Sequence, residues 1–327
     1  MSGWPSTAPP TAVSPKSPST NPTHPEGIHA VTTPINSPLL PVLNGRQLSV
    51  DVALKQPTII AQQIAKLADD MILLPKLFRQ YGSRVQAGAM LWNSIASSDY
   101  YTAGPVEPRV PGAEYKQIEG VLPDPRLSLV EDFGGAFTVP IEQVLRNNIS
   151  LLDTQVLQLA NTITKTLDLR AVAALEAEDP ASIAVSTPWD TAITVGPLDQ
   201  LTASNELPTA HFAAAQELAD RDELGVKLDT LLVAPEQARA LRTLYGQYLD
   251  QVLKSAGLTM HSNPRLTDGT AYMVQGGMVG VVGWEFGLTT ESWIDQSIRS
   301  WRVQSFAVPA FAVDRPFACK KLTGLSS

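Results

Sequence analysis

Among 327 residues there is a single cysteine, Cys319. One thiol excludes an internal disulfide and any metal site built from several thiolates. Charge is also scarce: Asp, Glu, Lys and Arg make up 17% of the chain, against roughly 25% in an average soluble protein. No apolar run approaches the roughly 20 residues a membrane helix needs. The N-terminus has no basic segment followed by an apolar stretch, so no secretory signal is expected. Twenty-four Lys and Arg stand against 32 Asp and Glu, a net charge of −8. That balance disfavours a protein whose main task is gripping phosphates, which needs clustered basic residues. The recognisable catalytic patterns are missing as well. There is no phosphate-binding Gly-x-x-x-x-Gly-Lys loop, no Gly-x-Ser-x-Gly elbow and no His-Glu-x-x-His helix.

Proline is abundant, and ten prolines (5, 9, 10, 15, 18, 22, 25, 34, 38 and 41) crowd the first 41 residues. Proline removes backbone donors, so this stretch can build neither helix nor central strand. Before Arg46 its only acidic and basic residues are Lys16 and Glu26, which cancel. It reads either as a solvated tail or as an extended arm that lies along a neighbour, and Ile35, Leu39, Leu40, Val42 and Leu43 suggest that its last part packs on something.

From Pro57 the pattern turns helical. Ile60, Ile64, Leu67, Met71, Leu74 and Phe78 form one apolar stripe, which Pro75 is expected to end or kink near Leu74. Residues 85–97 read as one strand. Between Asp99 and Pro125 lies a stretch dense in Pro, Gly and charge, expected to project as a long β-hairpin arm or loop. The strongest periodicity follows: Leu145, Ile149, Leu152, Val156, Leu159, Ile163 and Leu167. It predicts one helix of more than thirty residues, from Thr138 or Pro140 to Asp179-Pro180, a strut across a mixed body. Beyond it, a helix over 209–223, a buried strand over 229–234 and a helix from Pro235 to Leu253 are expected. Asp268-Gly269 is a hairpin signal. Residues 271–284, 301–313 and 318–322 read as strands.

The candidate chemistry is thin. Gly276, Gly277, Gly280 and Gly283 lack dinucleotide spacing, and glycine in a valine-rich strand marks a bulge or a close backbone approach. His24, His29, His211 and His261 have no ligand spacing, which leaves them as surface or capping residues. Cys319 reads as a buried, inert thiol. Glu217, Asp220, Asp222 and Glu223 read as a solvated helix end. Glu131 and Asp132 precede Phe133-Gly134-Gly135, read as a turn. No catalytic, cofactor-binding or metal-binding residue is assigned, and no enzyme activity is expected.

The order of these elements resembles the major capsid proteins of tailed bacteriophages, with the α+β Hong Kong 97-type fold, and the texture is similar to actinobacterial phage members. The resemblance is carried by Pro111-Gly112-Ala113-Glu114-Tyr115, Phe133-Gly134-Gly135-Ala136-Phe137-Thr138-Val139 leading to Arg146-Asn147-Asn148, Leu159-Ala160-Asn161-Thr162-Ile163, Asp229-Thr230-Leu231-Leu232-Val233-Ala234-Pro235 and Ala312-Val313-Asp314-Arg315-Pro316. It covers about residue 46 to the end.

The resemblance implies a Pro-rich N-terminal arm (1–46), the start of a peripheral domain with a helix (47–97), an extended β-hairpin loop (98–124), the peripheral domain with its long spine helix (125–186), an axial domain (187–295) and closing peripheral strands (296–327). It further implies hexameric and pentameric capsomers that form an icosahedral head around phage double-stranded DNA, without sequence-specific DNA contacts or a membrane. The virion is the implied location, with assembly in the host cytoplasm. A separate scaffolding protein, a portal and an optional decoration protein are the implied partners. Some relatives crosslink a loop Lys to an Asn of the peripheral domain. Lys116 is the matching loop residue, but no Asn follows Asn263, so no crosslink is expected. An encapsulin-type shell around a cargo enzyme is the nearest alternative reading, and an α/β enzyme with a scattered site is the remoter one.

Overall fold

The computed structural model describes residues 50–56, 58, 60–62, 73–123, 125–146 and 149–326. The Pro-rich arm, most of the stripe from Ile64 to Met71, and Asn147-Asn148 lie outside these residues. In chain order the strands are β1 (Phe78–Gln80), β2 (Ala89–Asn93), β3 (Pro125–Leu129), β4 (Phe133–Pro140), β5 (Ser182–Ala184), β6 (Thr230–Val233), β7 (Thr259–Ser262), β8 (Thr270–Val274), β9 (Gly280–Asp295), β10 (Ser300–Ala312) and β11 (Cys319–Thr323). They form a four-stranded sheet β1-β9-β10-β4, a five-stranded sheet β5-β11-β8-β6-β7 and a two-stranded ribbon β2-β3.

The long helix runs from Ile149 to Ala177, 29 residues, or about 43 Å at 1.5 Å per residue. It is shorter than expected because Thr138 and Pro140 belong to β4, paired with Arg302 and Ser300 of β10. A separate short helix, Ile141–Leu145, intervenes, and Leu145 faces solvent. Of the rest of the stripe, Leu152, Val156, Ile163 and Leu167 are buried and Leu159 is half-buried. Leu152, Val156 and Ala160 pack with Val50, Leu54, Ile60, Val139 and Val303 in one core. Ala171, Val172 and Leu175 pack in a second core with Trp189, Phe212 and the strands of the five-stranded sheet. The helix therefore belongs to two cores at once.

Between the two cores sits a buried charge. Asp168, fully buried, accepts the Leu73 backbone N–H at 2.9 Å and the Arg265 guanidinium at 2.6 Å. Burial pushes its pKa up, opposed by the Leu73 N–H and by Arg265. Removing one partner of such a pair leaves the other charge buried and uncompensated. The pair ties the long helix to the start of the helix Leu74–Leu77 and to the loop after β7.

Several local expectations need correction. Pro75 opens the short helix Leu74–Leu77 rather than ending one, since a missing N–H costs nothing in a first turn. Phe78 then extends (φ −118°, ψ 137°) and pairs in parallel with Gly280 of β9. The strand expected over 85–97 is confined to Ala89–Asn93, and Ser97–Tyr100 is a 3-10 turn. Phe133-Gly134-Gly135 is not a turn but the start of β4. A Cβ at Gly135 would lie 2.6 Å from Leu159 Cδ1, and one at Gly134 would lie 2.8 Å from Phe306 Cβ. The two glycines let the strand lie flat between the long helix and β10. The stretch 271–284 is two strands, β8 and β9, separated by a turn at Gly277. Asp268-Gly269 is a turn but not a hairpin, because β7 and β8 flank β6 on opposite sides. The helix from Pro235 stops at Tyr245, and Gly246 (φ +51°) separates it from Leu249–Ser255.

The expected divisions at residues 187 and 295 cut across the sheets. β9 belongs with β10 and β4 beside the long helix, whereas the closing strand β11 pairs with β8 inside the five-stranded sheet. Hydrogen bonding assigns these strands to sheets, and that does not follow chain order.

The Gly134 contact is testable, because a Cβ there would also lie 2.9 Å from the Ser305 carbonyl oxygen, which cannot swing aside. Gly134→Val should cost about 1–3 kcal/mol through overpacking, read as a lower denaturant midpoint. Gly104→Val, where a Cβ meets nothing within 4 Å, should leave the midpoint unchanged. Equal midpoints for the two variants would contradict the close approach.

Candidate assembly surface

The side chains with chemical potential are occupied by structural contacts. At the end of the helix Pro208–Arg221, Glu217 pairs with Arg221 at 2.6 Å and Asp220 accepts from Gln216 at 2.7 Å. Asp222 is not merely solvated: it receives the ammonium of buried Lys320 at 2.9 Å. Glu131 binds the Arg170 guanidinium of the long helix. Cys319 is fully buried, and burial raises its thiol pKa far above the ordinary value, as expected of an inert thiol. Gly280 approaches Phe78 so closely that a Cβ would lie 2.6 Å from its ring. His24 and His29 lie outside the described residues. His261 is half-buried in β7. His211 is not a surface residue. It is buried, and its Nδ1 accepts the Trp189 indole N–H at 3.2 Å. Among the described residues no three His, Cys, Asp or Glu side chains are grouped to hold a metal ion, and no helix is long and apolar enough to cross a membrane.

The distinctive surface is the segment between β2 and β3. Its root is fixed by the body. Ile95 N–H donates to Asp314 O at 2.9 Å, Tyr100 stacks edge-on against Phe317 (5.6 Å, 90°), and Tyr101 Oη donates to Glu223 O at 3.3 Å. Beyond the root the chain forms a finger with no strand of its own. Ala103 N–H donates to Glu119 O at 3.1 Å, and Lys116 bridges to Glu107 at 2.7 Å. At the tip Arg109 lies 4.5 Å over the Tyr115 ring and donates to Ala113 O at 2.7 Å, around a turn at Gly112 (φ +89°). Val106, Val110 and Tyr115 are 84%, 73% and 76% exposed. The expected hairpin is thus real at its base, where β2 and β3 pair, and irregular beyond it. Pro105, Pro108 and Pro111 explain the irregularity, since each lacks a ladder donor.

The ribbon has two unlike faces. Met90 and Trp92 turn inward onto Ala310 and Ala312 of β10. Leu91 sits opposite Leu127, and Ala89 opposite Leu129, on the other face. Those leucines are 71%, 61% and 65% exposed. Sequence reasoning missed this face and the tyrosine root. The alternation Leu127-Ser128-Leu129 was the available signal, obscured by the surrounding prolines.

With this geometry in view, similarity to known proteins becomes informative. The family described as phage capsid protein matches residues 123–322. The chain belongs to the phage capsid protein family. Among solved structures, the virus-like particle from Pyrococcus furiosus is similar with a TM-score of 0.57 at 12% identity, over 80% of this chain and 97% of that one. The capsid of Myoviridae phage XM1 gives 0.54 at 11%, over 76% and 89%. The capsid of cyanophage P-SCSP1u gives 0.51 at 14%, over 77% and 86%. No curated protein matches the chain in sequence. Likeness at identities this low establishes the fold, a phage capsid fold of the Hong Kong 97 type. The family match makes the chain a structural capsid protein.

For a capsid protein, two consequences follow from the site. Lys116 is already engaged by Glu107, and no Asn follows Asn263. Boiled, denatured particles should therefore run at the monomer mass on a gel, and a ladder of multimers resistant to reductant would contradict this. The second concerns His211, whose pKa burial pushes below its ordinary 6.5, partly opposed by Glu206. The folded ring binds its proton less tightly than the unfolded one. Its contribution is present above pH 6.5 and is lost as pH falls towards the lower folded value. His261, lowered by burial and by Lys76, acts with the same sign. The denaturant midpoint should fall from about pH 7 to about pH 5.5, less steeply in His211→Phe. An identical slope would refute the assignment.

Proposed function

We propose that this chain is the major shell subunit of a tailed-phage head, assembling into hexamers and pentamers that enclose double-stranded DNA. The four-stranded sheet and the long helix act as the peripheral part of the subunit, and the five-stranded sheet with its helices acts as the axial part near the capsomer centre. The exposed finger supports this reading best. It is held by its own contacts, rooted on two tyrosines, and presents apolar side chains that no described residue of the same chain covers. A monomeric protein gains nothing from such a projection, whereas a shell subunit uses it as a further attachment that becomes effectively intramolecular once the first contact forms.

The remaining partners follow the same logic. A separate scaffolding protein directs curvature, a portal occupies one vertex, and a decoration protein is an optional outer partner. DNA is held without sequence-specific contacts, and the net charge of −8 suits a wall that does not grip its contents, because DNA carries dense like charge. Packaging a genome is favoured over enclosing a cargo enzyme because the matching family is that of phage capsid proteins. Assembly takes place in the host cytoplasm before the head matures into the virion.

The test is co-expression with the flanking genes, followed by sedimentation and electron microscopy. The full chain should yield closed particles tens of nanometres across. A chain in which a short Gly-Ser linker replaces residues 103–119 should fold with an unchanged midpoint yet form no closed particles. Particles from the shortened chain would remove the finger's role. A full chain that stays monomeric and turns over a small substrate would overturn the shell reading.

A further inference from the structure

Residues 190–203 belong to no helix or strand. They loop out after β5 and return at the 3-10 turn Ser204–Glu206. The apex is bare, with Val195 and Leu198 88% and 91% exposed. The waist is pinched shut: Ile193 N–H donates to Thr202 Oγ1 at 2.8 Å, and Thr202 N–H donates back to Ile193 O at 3.0 Å. Between this strap and the helix Pro235–Tyr245 lies a cleft of about 300 Å³, lined by Trp189, Ile193, Val195, Arg239 and Leu244 among others. At its foot, one side chain fastens the strap to the core. Trp189 is fully buried and edge-on to Phe212 (5.8 Å, 84°), and its indole N–H reaches His211 Nδ1 at 3.2 Å.

We propose that the Trp189–His211 bond is an acid-released catch for this strap. An indole N–H only donates, so Nδ1 must offer a lone pair and the ring carries its proton on Nε2. A second proton fills that lone pair. Two donors then face each other, and the bond is lost. The site also resists the charge itself. His211 lies one turn into the helix Pro208–Arg221, close to its positive end, and burial penalises an imidazolium. Opposing this is Glu206, whose carboxylate already accepts from Thr187 Oγ1 at 2.6 Å. Other charges on the packed elements are spent or distant. Glu217, Asp220 and Arg221 stand at the far end of the same helix. Lys320 and Lys321 of β11 are held by Asp222 and Glu176, and Asp190 and Arg239 line the cleft. The fastened ring therefore titrates below 6.5, and the released ring returns towards that value. Release becomes more favourable as pH falls below 6.5. The catch belongs to the single subunit, so it stands or falls apart from the shell reading.

Hydrogen exchange on the full chain, kept dilute enough to stay unassembled, tests the catch. Rates are corrected for the intrinsic pH dependence of exchange. Protection of the Trp189, Ile193 and Thr202 amides should fall between about pH 7 and about pH 5, by up to about tenfold for each pH unit. The buried strand β6 should stay protected throughout. His211→Asn keeps an acceptor where Nδ1 lies and cannot titrate, so its strap should hold equally at both pH values. Trp189→Phe fills the same space without a donor, and its strap should exchange fast at both. An equal fall in His211→Asn, or full protection of the Trp189→Phe strap at neutral pH, would overturn the catch. A fall shared equally by β6 would mean that the whole unit opens, and would overturn it too. Should His211→Asn not fold, the pH-independence of Trp189→Phe decides alone.

Discussion

The architecture depends on one helix being buried at both ends by different partners. Leu152, Val156 and Ala160 belong to the core beneath β4 and β10. Ala171, Val172 and Leu175 belong to the core of the five-stranded sheet. Neither core is complete without the helix, so helix and cores must form together. Asp168 lies between them, holding Leu73 N–H and Arg265. A buried ion pair contributes little net stability against an apolar alternative. Its effect here is on register: the helix cannot slide or rotate against the segment at Leu73 or the loop at Arg265 without orphaning a charge. A rigid subunit is what repeated packing into a closed shell requires, since angular errors accumulate around a ring.

Rigidity in the body contrasts with the finger, which no core supports. Its contacts are local, between Ala103 and Glu119, Glu107 and Lys116, and Arg109 and Tyr115. Exposed ion pairs of this kind are worth little in water. They gain when a neighbour excludes solvent, because the same charges then interact in a lower dielectric. The tyrosine root sets where the finger leaves the body: Tyr100 and Tyr101 fix its direction, and exposed apolar side chains lie towards its tip.

Periodic features were legible from the residues. The stripe from Leu152 to Leu167 marked the long helix because steps of three and four residues share one face only when the backbone is helical. Thr230–Val233, followed by Pro235, announced a buried strand and a helix start. What was misplaced depended on partners distant in sequence. Phe133-Gly134-Gly135 looks like a turn until Leu159 and Phe306 crowd it. Phe78 continues a helical stripe until Gly280 offers a strand. Asp268-Gly269 signals a hairpin, yet β6 inserts between the strands on either side. The assembly surface was half legible. The Pro-rich projection was evident, but the leucine face was not, because Leu91 and Leu127 become neighbours only through a pairing across the whole finger. The chemistry-bearing residues led to structural pairs, as with Asp222 on Lys320, and the absence of any catalytic motif agreed with the family the chain belongs to.

If one rigid body, with the long helix spanning two cores, is joined to its copies through the finger that leaves it at Tyr100 and Tyr101, electron cryomicroscopy of assembled particles will show an unbroken helix over residues 149–177 in every subunit, with residues 103–119 in contact with a different chain. A helix broken at Asp168, or a finger folded onto its own subunit, would contradict it.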